Sequence, residues 1–447
     1  MYEIERADGV ASEKAVLVRV ILNGQAAGDD PLDEITGLAQ TAGAQVVSGL
    51  VQRRDVPDVT TYLGKGKVDE LKSLVAHHDA DVVLFDNELA PSQTRNLEKA
   101  VGVKVLDRTE LILDIFAGSA RTYEARLAVE LAQLEYSLPR LKRMWTHLSR
   151  IKAGIGMRGP GEKQIEEDRR LVEKRIHELR SELYQIERRK ERLVASRGDR
   201  LTVSLVGYTN AGKSTLMNAL TGAGVYAADK LFATLDTRTR KWMLPSWGPV
   251  LLSDTVGFIR DLPHGLIASF KATLEEARQA DLLLHVADAA NPAVLDQISA
   301  VYEVLRELGI EEKDTLLVLN QIDRLADRSE LAKVQRRYPN AVPISARTGE
   351  GLDKLHAAAS AALSRSFVDL DVETSVANGK LLAYLAAHGE ILDRKYDGDR
   401  ALIHVRIPQR HLGPLYQSGT TFRPHPQFAA VPDGEAERAA APIEEVA

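Results

Sequence analysis

The stretch LTVSLVGYTNAGKST, Leu201–Thr215, passes from an apolar run into a loop that holds Gly207, Gly212, Lys213 and Ser214. These four residues fit the phosphate-loop pattern G-x-x-x-x-G-K-[ST]. In such loops the backbone N–H groups wrap the β-phosphate, the lysine reaches the β- and γ-phosphates, and the serine hydroxyl ligates Mg²⁺. The helix that follows would direct its positive end at the same anion. The stretch therefore predicts a nucleotide-binding α/β domain.

A second motif, D-T-V-G at Asp254–Gly257, follows the apolar strand VLLS, 41 residues after Lys213. We expect the Asp254 carboxylate to hold Mg²⁺ through a water molecule and the Gly257 amide to meet the γ-phosphate. The pattern D-x-x-G is weak by itself. Its place after an apolar strand, at this distance from the lysine, makes it a strong indication of the same site.

The choice of base is indicated by N-Q-I-D at Asn320–Asp323, after the strand TLLVLN. A carboxylate at Asp323 can accept from both N1–H and the exocyclic amine of guanine, a pair that adenine does not offer. Gln321 replaces the usual lysine, whose stem lies over the base, so we expect weaker packing without loss of guanine preference. Ser345–Arg347, after AVPI, matches the last guanine-contact loop. Four motifs in order predict a Ras-like P-loop GTPase domain with its nucleotide at the strand ends.

Two positions bear on hydrolysis. Phe258 stands where many GTPases place a glutamine that orients the attacking water, so we expect slow intrinsic turnover that an external factor accelerates. Asn210 matches the asparagine with which potassium-activated GTPases hold K⁺ beside the phosphates, where the cation supplies charge as an arginine finger does. The alternative is that Asn210 only accommodates the turn, and both roles stay open.

The rest of the chain has other patterns. Apolar β-branched runs alternate with helical spacing in residues 1–120, which predicts an α/β subdomain. In residues 121–199, apolar residues step by four and three along Leu127–Leu148 and Val172–Leu193. Two such seams predict an antiparallel helical hairpin about 45 Å long. The glycine-rich stretch 153–163 would be its tip loop.

The fold class that follows is a multidomain α/β chain. The GTPase domain is assigned to residues 200–365 and a small α+β domain to residues 366–430. The last segment, 431–447, is predicted to be a disordered acidic tail, because its final sixteen residues hold five acidic residues and one arginine.

Composition and charge narrow the function further. Among 447 residues there is no cysteine, which excludes disulfides, cysteine-ligated zinc and thiol catalysis and suits the cytoplasm. No apolar run approaches the roughly 18 residues of a membrane span. The net charge is −6, yet residues 138–200 carry 18 basic and ten acidic residues, a net of +8 that leaves −14 elsewhere. Such a segment favours a polyanionic partner, and the alternative is a solvated helix pair.

The motifs GYTNAGKST, LFATLDTRTR and SDTVGFIRDLP, with the glycine-rich GIGMRGPGEKQIEEDRR, resemble the HflX GTPases over nearly the whole chain. The glycine-rich motif is the most specific, since other GTPase families lack it. The resemblance implies that Thr234 is the switch threonine that ligates Mg²⁺ when GTP is bound, with Thr237 as its rival. Gln164 stands where the family usually has leucine.

Together the motifs and the resemblance give a set of candidate site residues. The candidate catalytic residues are Lys213, Asn210, Thr234 and Gly257. The candidate Mg²⁺ ligands are Ser214, Thr234 and Asp254, and the candidate K⁺ ligand is Asn210. The candidate GTP contacts are Gly207, Tyr208, Thr209, Asn210, Ala211, Gly212, Lys213, Ser214, Thr215, Phe232, Ala233, Thr234, Leu235, Asp236, Asp254, Thr255, Val256, Gly257, Asn320, Gln321, Asp323, Ser345, Ala346 and Arg347.

The resemblance also implies a partner, because the HflX family binds the large ribosomal subunit and is implicated in splitting stalled or stress-damaged ribosomes. A stiff hairpin can carry its tip into an RNA-lined cavity near the peptidyl-transferase region, where basic side chains neutralise phosphates and glycines allow close approach. The chain would act as a monomer on large subunits and intact ribosomes. The candidate ribosomal RNA contacts are Lys152, Gly154, Gly156, Arg158, Gly159, Gly161 and Lys163.

Two rival functions stay open. One is a GTPase of ribosome maturation or RNA modification, although the chain lacks the C-terminal cysteine of the tRNA-modifying type and its C-terminal segment lacks the G-x-x-G of a KH domain. The other is a nucleotide-gated adaptor whose hydrolysis is incidental, which Phe258 permits.

Overall fold

The computed structural model describes residues 12–23, 30–144, 160–195, 201–222, 231–232, 237–244, 248–260, 276–310, 314–325, 327–408, 411–416 and 421–425. Within them the chain forms an N-terminal α/β unit, a helical hairpin, a central α/β domain and a C-terminal antiparallel sheet. The predicted multidomain α/β fold class is thereby confirmed.

The N-terminal unit is a parallel sheet with helices on both faces. Its strands are Lys14–Leu22 (β1), Gln45–Arg54 (β2), Val82–Phe85 (β3) and Lys104–Leu106 (β4), and its helices are Asp33–Ala42 (α1), Lys65–His78 (α2), Pro91–Val101 (α3) and Arg108–Ser119 (α4). The strand order is β2-β1-β3-β4. Helices α1 and α4 pack on one face, and α2 and α3 on the other. Strands β1 and β3 are buried apolar runs because both faces are covered.

A helical hairpin follows, made of Tyr123–Met144 (α5) and Pro160–Ala195 (α6). The helices are antiparallel, because Tyr123 at the start of α5 donates to Glu182 at 2.8 Å, while Glu130 further along pairs with Arg175 at 2.8 Å. The predicted heptad seam lies between them. Its buried members are Leu127, Leu131, Ile176 and Leu179.

The second arm of the hairpin begins earlier than the sequence pattern predicts. Proline is favoured at a first helical position, and α6 begins at Pro160. Gly161 and Lys163, which were expected in the tip loop, therefore lie in the first turn of the helix. The other candidate RNA contacts, Lys152, Gly154, Gly156, Arg158 and Gly159, lie outside the described residues, as does the predicted acidic tail.

The first arm is fastened to the N-terminal unit. The Arg140 guanidinium lies 3.4 Å from the centroid of the Tyr136 ring and donates to Asp107 Oδ2 at 3.0 Å and to the Leu89 carbonyl at 3.1 Å. The Tyr136 hydroxyl donates to the same carboxylate. Asp107 also caps α4 by accepting from the Glu110 N–H at 3.0 Å. Helix α5 and the N-terminal unit are thus joined by a buried polar network.

The central domain is a six-stranded sheet of order β10-β9-β8-β5-β7-β6, parallel except for β6. Its strands are Thr202–Gly207 (β5), Arg238–Leu244 (β6), Gly248–Asp254 (β7), Leu282–Asp288 (β8), Thr315–Asn320 (β9) and Val342–Pro343 (β10). Its helices are Lys213–Thr221 (α7), Val294–Glu307 (α8), Ser329–Arg337 (α9) and Leu352–Ser366 (α10). Because β5, β7 and β9 are parallel, the loops that follow them meet at one edge.

The C-terminal part is an antiparallel sheet of order β12-β13-β11-β14. Its strands are Phe367–Ser375 (β11), Glu390–Asp397 (β12), Arg400–Pro408 (β13) and Thr421–Pro424 (β14), and its helices are Gly379–His388 (α11) and Gly413–Tyr416 (α12). Alternate residues of β11 and β13 bury one face of the sheet against α11. The opposite face carries charged and histidine side chains.

The N-terminal unit and the central domain share one apolar core. The Phe116 ring of α4 meets the Phe232 ring edge to face, with centroids 4.6 Å apart. Phe258 and Ile259, just after β7, belong to the same buried cluster. Among the described helices, none has the length and apolar character of a membrane span.

Candidate nucleotide site

The phosphate loop joins β5 to α7 and depends on glycine. Gly207 has φ 148°, and a Cβ there would lie 2.1 Å from the Val286 carbonyl oxygen of the neighbouring strand. Gly212 has φ 86°, and a Cβ there would lie 2.4 Å from Asn320 Nδ2. Both positions combine a left-handed or near-left-handed backbone with close contact. Asn210 also has a left-handed φ, 60°, which asparagine adopts more readily than most residues.

Lys213 opens α7 inside this loop. Its side chain is buried, and Nζ donates to the carbonyls of Gly207 at 3.1 Å and Tyr208 at 2.9 Å. Burial lowers the pKa of Lys213 to about 8, against a smaller opposing effect of Asp254. An ammonium held this way gains a strong counter-charge when phosphates occupy the loop.

Two hard oxygen donors converge beside the lysine. Ser214 Oγ donates to Asp254 Oδ2 at 2.6 Å, and Asp254 is fully buried at the end of β7. The Thr255 hydroxyl donates to the Leu205 carbonyl at 2.7 Å and fixes the strand end. Hydroxyl and carboxylate oxygens are the ligands that Mg²⁺ prefers, so the pair fits that ion. Thr234, the third candidate ligand, lies outside the described residues with Ala233, Leu235 and Asp236.

The D-T-V-G segment lies directly on the phosphate loop. The Thr209 N–H donates to the Phe258 carbonyl at 2.6 Å, and the Phe258 N–H donates to the Gly207 carbonyl at 3.0 Å. A Cβ on Gly257 would lie 2.8 Å from Thr209 Cα and 3.0 Å from Lys213 Nζ, so only glycine fits. The Phe258 side chain is buried in the shared core, which leaves no polar group at this position to orient water.

The two guanine-motif loops are tied to the phosphate loop by Asn320. Its Nδ2 donates to the Ala211 carbonyl at 2.9 Å, and its Oδ1 accepts from the Ala346 N–H at 2.9 Å. Asp323 is exposed, and its Oδ1 accepts from Ser345 Oγ at 2.7 Å. This bond positions the carboxylate that the sequence assigns to the base. Arg347, beside this loop, is exposed.

Gln321 makes a contact that the sequence does not predict. It has a left-handed φ of 65°, and its Nε2 donates to the Asn210 carbonyl at 3.1 Å, while its Oε1 accepts from Arg324 at 2.6 Å. The residue that departs from the lysine consensus therefore links the base loop to the phosphate loop.

A cluster of five charged residues covers the other side of Tyr208. The members of this interface charge cluster are Arg19, Glu34, Asp86, Arg108 and Arg260. Four come from the N-terminal unit, and Arg260 follows the D-T-V-G segment. The Tyr208 hydroxyl donates to Glu34 Oε1 at 3.1 Å and accepts from the Arg260 N–H at 2.8 Å. The Tyr208 hydroxyl thus connects the phosphate loop to both the D-T-V-G segment and the N-terminal unit.

Burial and the neighbouring charges shift the pKa values of several residues in and beside the cluster. Burial alone would raise the pKa of Glu34, but Arg108 and Arg260 outweigh it and hold that pKa below the ordinary value. Burial raises the pKa of Asp86 despite the same arginines. Burial and the neighbouring Glu34 charge raise the pKa of Tyr208, which keeps its hydroxyl protonated. Sequence reasoning missed this cluster, because its members are far apart in the chain and belong to no motif.

The segment before the candidate switch threonine also touches the N-terminal unit. The Phe232 N–H donates to Thr209 Oγ1 at 2.7 Å, and the Leu231 N–H donates to Thr41 Oγ1 at 3.3 Å. The Leu231 side chain lies against α1, where a Cβ on Gly37 would be 3.2 Å from it. Both segments expected to respond to the γ-phosphate therefore rest on the N-terminal unit.

Three family models match the chain in succession. They are described as GTP-binding GTPase N-terminal, over residues 29–117, GTP-binding GTPase middle region, over residues 119–197, and 50S ribosome-binding GTPase, over residues 202–321. The three matches cover the N-terminal unit from α1 onward, the hairpin and most of the central domain.

Similar proteins span nearly the same length. GTPase HflX of Escherichia coli (strain K12) is 49% identical over 357 residues, which covers 79% of this chain and 84% of that protein. GTPase HflX of Lacrimispora saccharolytica is 44% identical over 413 residues, which covers 92% and 97%. Among solved structures, a GTP-binding protein from Sulfolobus solfataricus in complex with GDP is 25% identical with a TM-score of 0.42, covering 79% of this chain and 99% of that one.

Proposed function

The chain belongs to the HflX family of GTPases, a GTP hydrolase family with nucleotide-associated Mg²⁺, and we propose that it binds the large ribosomal subunit and splits ribosomes into subunits under stress. The observation that carries the proposal is the match of residues 202–321 to a model described as a 50S ribosome-binding GTPase. Beside that domain stands a long hairpin whose segment 138–200 has a net charge of +8, which suits an RNA partner.

In this proposal the central domain binds GTP at the edge formed by β5, β7 and β9. Lys213 neutralises the β- and γ-phosphates, and the Gly257 amide meets the γ-phosphate. Asp323 selects guanine. Ser214 and Thr234 would ligate Mg²⁺ directly, and Asp254 would hold it through a water molecule. That ion would offset the negative charge of the phosphates.

Hydrolysis is proposed to depend on the ribosome. Phe258 offers no group that orients water, so the intrinsic rate would be on the order of 10⁻⁴ to 10⁻² s⁻¹ and rise strongly with large subunits. A K⁺ ion beside Asn210 is the proposed source of further charge. The other role left open for Asn210 is structural: its φ is 60°, and its carbonyl accepts from Gln321 Nε2 at 3.1 Å.

Coupling between hydrolysis and splitting would run through the N-terminal unit. A change around Gly257 moves a segment that is hydrogen-bonded to the phosphate loop and joined to the interface charge cluster through Arg260. The N-terminal unit is in turn fastened to α5 by Arg140. Nucleotide state can therefore reach the hairpin through described contacts.

The decisive experiment replaces residues 153–160 with a Gly-Ser linker of equal length. We expect GTP affinity to stay within about twofold of wild type, because the site lies in another domain, and splitting of intact ribosomes in a light-scattering assay to be lost. Arg158→Glu should weaken binding of large subunits and reduce its salt dependence, as expected when one phosphate contact is removed.

Lys354→Glu is the matched control, since it makes the same charge change at an exposed position of α10. It should leave subunit binding unchanged. If the linker variant splits ribosomes normally, the hairpin is only a spacer and its tip is not the functional element. Equal GTP turnover with and without large subunits would favour the adaptor function instead.

A further inference from the structure

The polar face of the C-terminal sheet brings two histidines and an aspartate together. Asp371 lies in the middle of β11, directly opposite His404 of β13 in the antiparallel register. His425 follows the last residue of β14. Its backbone N–H donates to the Asp369 carbonyl at 2.9 Å, which extends the pairing of β14 with β11 by one residue. The three side chains stand on the face that α11 does not cover.

Their donor atoms are close enough to share an ion. His425 Nδ1 lies 2.9 and 3.0 Å from the two carboxylate oxygens of Asp371. The rings of His404 and His425 are stacked, with centroids 3.7 Å apart and planes 15° apart. One ligand atom from each of the three residues lies within 4.8 Å of the others. Adjacent donors around a tetrahedral zinc ion are about 3.3 Å apart, given bonds of about 2.0–2.1 Å. Binding would therefore require the donors to move closer together and at least one of the two stacked rings to rotate, so that both imidazole nitrogens point at the ion.

One ring nitrogen of His404 makes no hydrogen bond to any residue that the structure describes. Its Nε2 is buried and has no hydrogen-bond partner in the described part of the chain. The nearest carboxylate oxygen, Asp369 Oδ2, is 3.9 Å away, and Asp369 is engaged by Arg406 through bonds of 2.8 and 3.2 Å. A buried imidazole nitrogen without a partner is unfavourable, and metal coordination is one way in which proteins satisfy an imidazole.

We propose that Asp371, His404 and His425 bind a divalent transition-metal ion, with zinc as the preferred one. Two imidazoles and one carboxylate are a donor set that zinc accepts, and three protein ligands leave a position for water or an external ligand. The site is half-buried, with side-chain exposures of 18–28%, so a small ion can enter.

Binding would fasten the edge of the sheet. Strand β14 has only four residues and pairs only with β11 among the described strands. A metal bound by His425 would join the end of this short strand to both β11 and β13. The C-terminal sheet would then gain stability whenever the ion is present, independently of GTP or ribosomes.

The test uses the full chain, treated with a chelator and then saturated with Mg²⁺ and GDP so that the nucleotide site is occupied. Co²⁺ is titrated while its visible absorption is followed, and Zn²⁺ is then used to displace it. We expect one Co²⁺ per chain with a tetrahedral or five-coordinate spectrum. His404→Gln and Asp371→Asn should each weaken binding at least about tenfold.

The matched control is the double variant His388→Gln with His411→Gln. These two rings are also stacked in the same domain, 4.6 Å apart, but against Tyr384. Binding should be unchanged in this variant. Zinc K-edge absorption of the loaded wild type gives a measurement that needs no variant, and it should show imidazole ligands. An oxygen-only shell, no saturable binding, or wild-type affinity in a folded His404→Gln protein would overturn the proposal.

Discussion

Removing one hydroxyl, in Tyr208→Phe, should loosen the contact between the phosphate loop and the N-terminal unit. The hydroxyl donates to Glu34 and accepts from the Arg260 N–H, and the ring itself is buried. Loss of a bond to a charged group costs about 1.5–3 kcal/mol, and loss of a neutral one about 0.5–1.5 kcal/mol. Because Glu34 keeps Arg108 as a partner, we expect the substitution to lower the free energy of unfolding by about 2 kcal/mol in total.

Thermal unfolding of the nucleotide-free protein measures this loss. For units of about 150–250 residues, about 2 kcal/mol corresponds to a midpoint lowered by about 4–8 °C. The control is Tyr302→Phe in α8, because this half-buried tyrosine contacts the His285 ring and its hydroxyl has no hydrogen-bond partner among the described residues. A Tyr208→Phe protein that unfolds within about 1 °C of wild type, or an equal drop in midpoint for both variants, would show that the Tyr208 hydroxyl does not stabilise this contact.

Three further outcomes are expected at the nucleotide site. Asp323→Asn should shift preference from guanine to xanthine nucleotides in competition binding, and a variant with full guanine preference would show that Asp323 does not contact the base. Turnover should be higher in K⁺ than in Na⁺, whereas equal rates in the two salts would leave Asn210 only its structural role. Because burial lowers the pKa of free Lys213 to about 8 and bound phosphates favour its charged form, GDP affinity should fall as pH rises through 8. The expected change in Kd is about fivefold between pH 7 and 8.8, and a constant Kd over that range would contradict the assignment of Lys213.

The parts of the fold that could be predicted are those with a local pattern. The phosphate loop is set by glycines and a lysine at fixed spacing. The hairpin is set by a repeat of apolar residues, and those from both helices, such as Leu127 and Leu179, lie in one buried cluster. Strand β6 could not be predicted from the sequence, because its residues are mostly charged or exposed. Its hydrogen-bonded pairing with β7 holds it in the extended conformation. Strand β12 is also mostly charged, and it is likewise held by pairing, in this case with β13.

The site was predictable only where each residue carries its own chemistry. Lys213 and Asp254 are identified by motif, and the structure places their side chains within one loop cluster. The contacts of Glu34 with Tyr208 and with Arg260 each span at least 174 positions of the chain and have no periodic signal. Gln321 is a third case. Its departure from the consensus is visible in the sequence, whereas its bond to the Asn210 carbonyl is a tertiary contact between two residues that both have a positive φ.

The fastening of α5 by Arg140 and Tyr136 has a mechanical consequence. Because these contacts hold α5 to the N-terminal unit well beyond the base of the hairpin, a rigid-body rotation of that unit would carry the hairpin with it. Such a rotation would take place about the contact surface with the central domain, where Phe116 meets Phe232. A rotation of about 5° there would move an end about 45 Å away by about 4 Å, roughly three quarters of a helical turn. A small hinge opening at the central domain would thus become a large stroke at the far end of the hairpin.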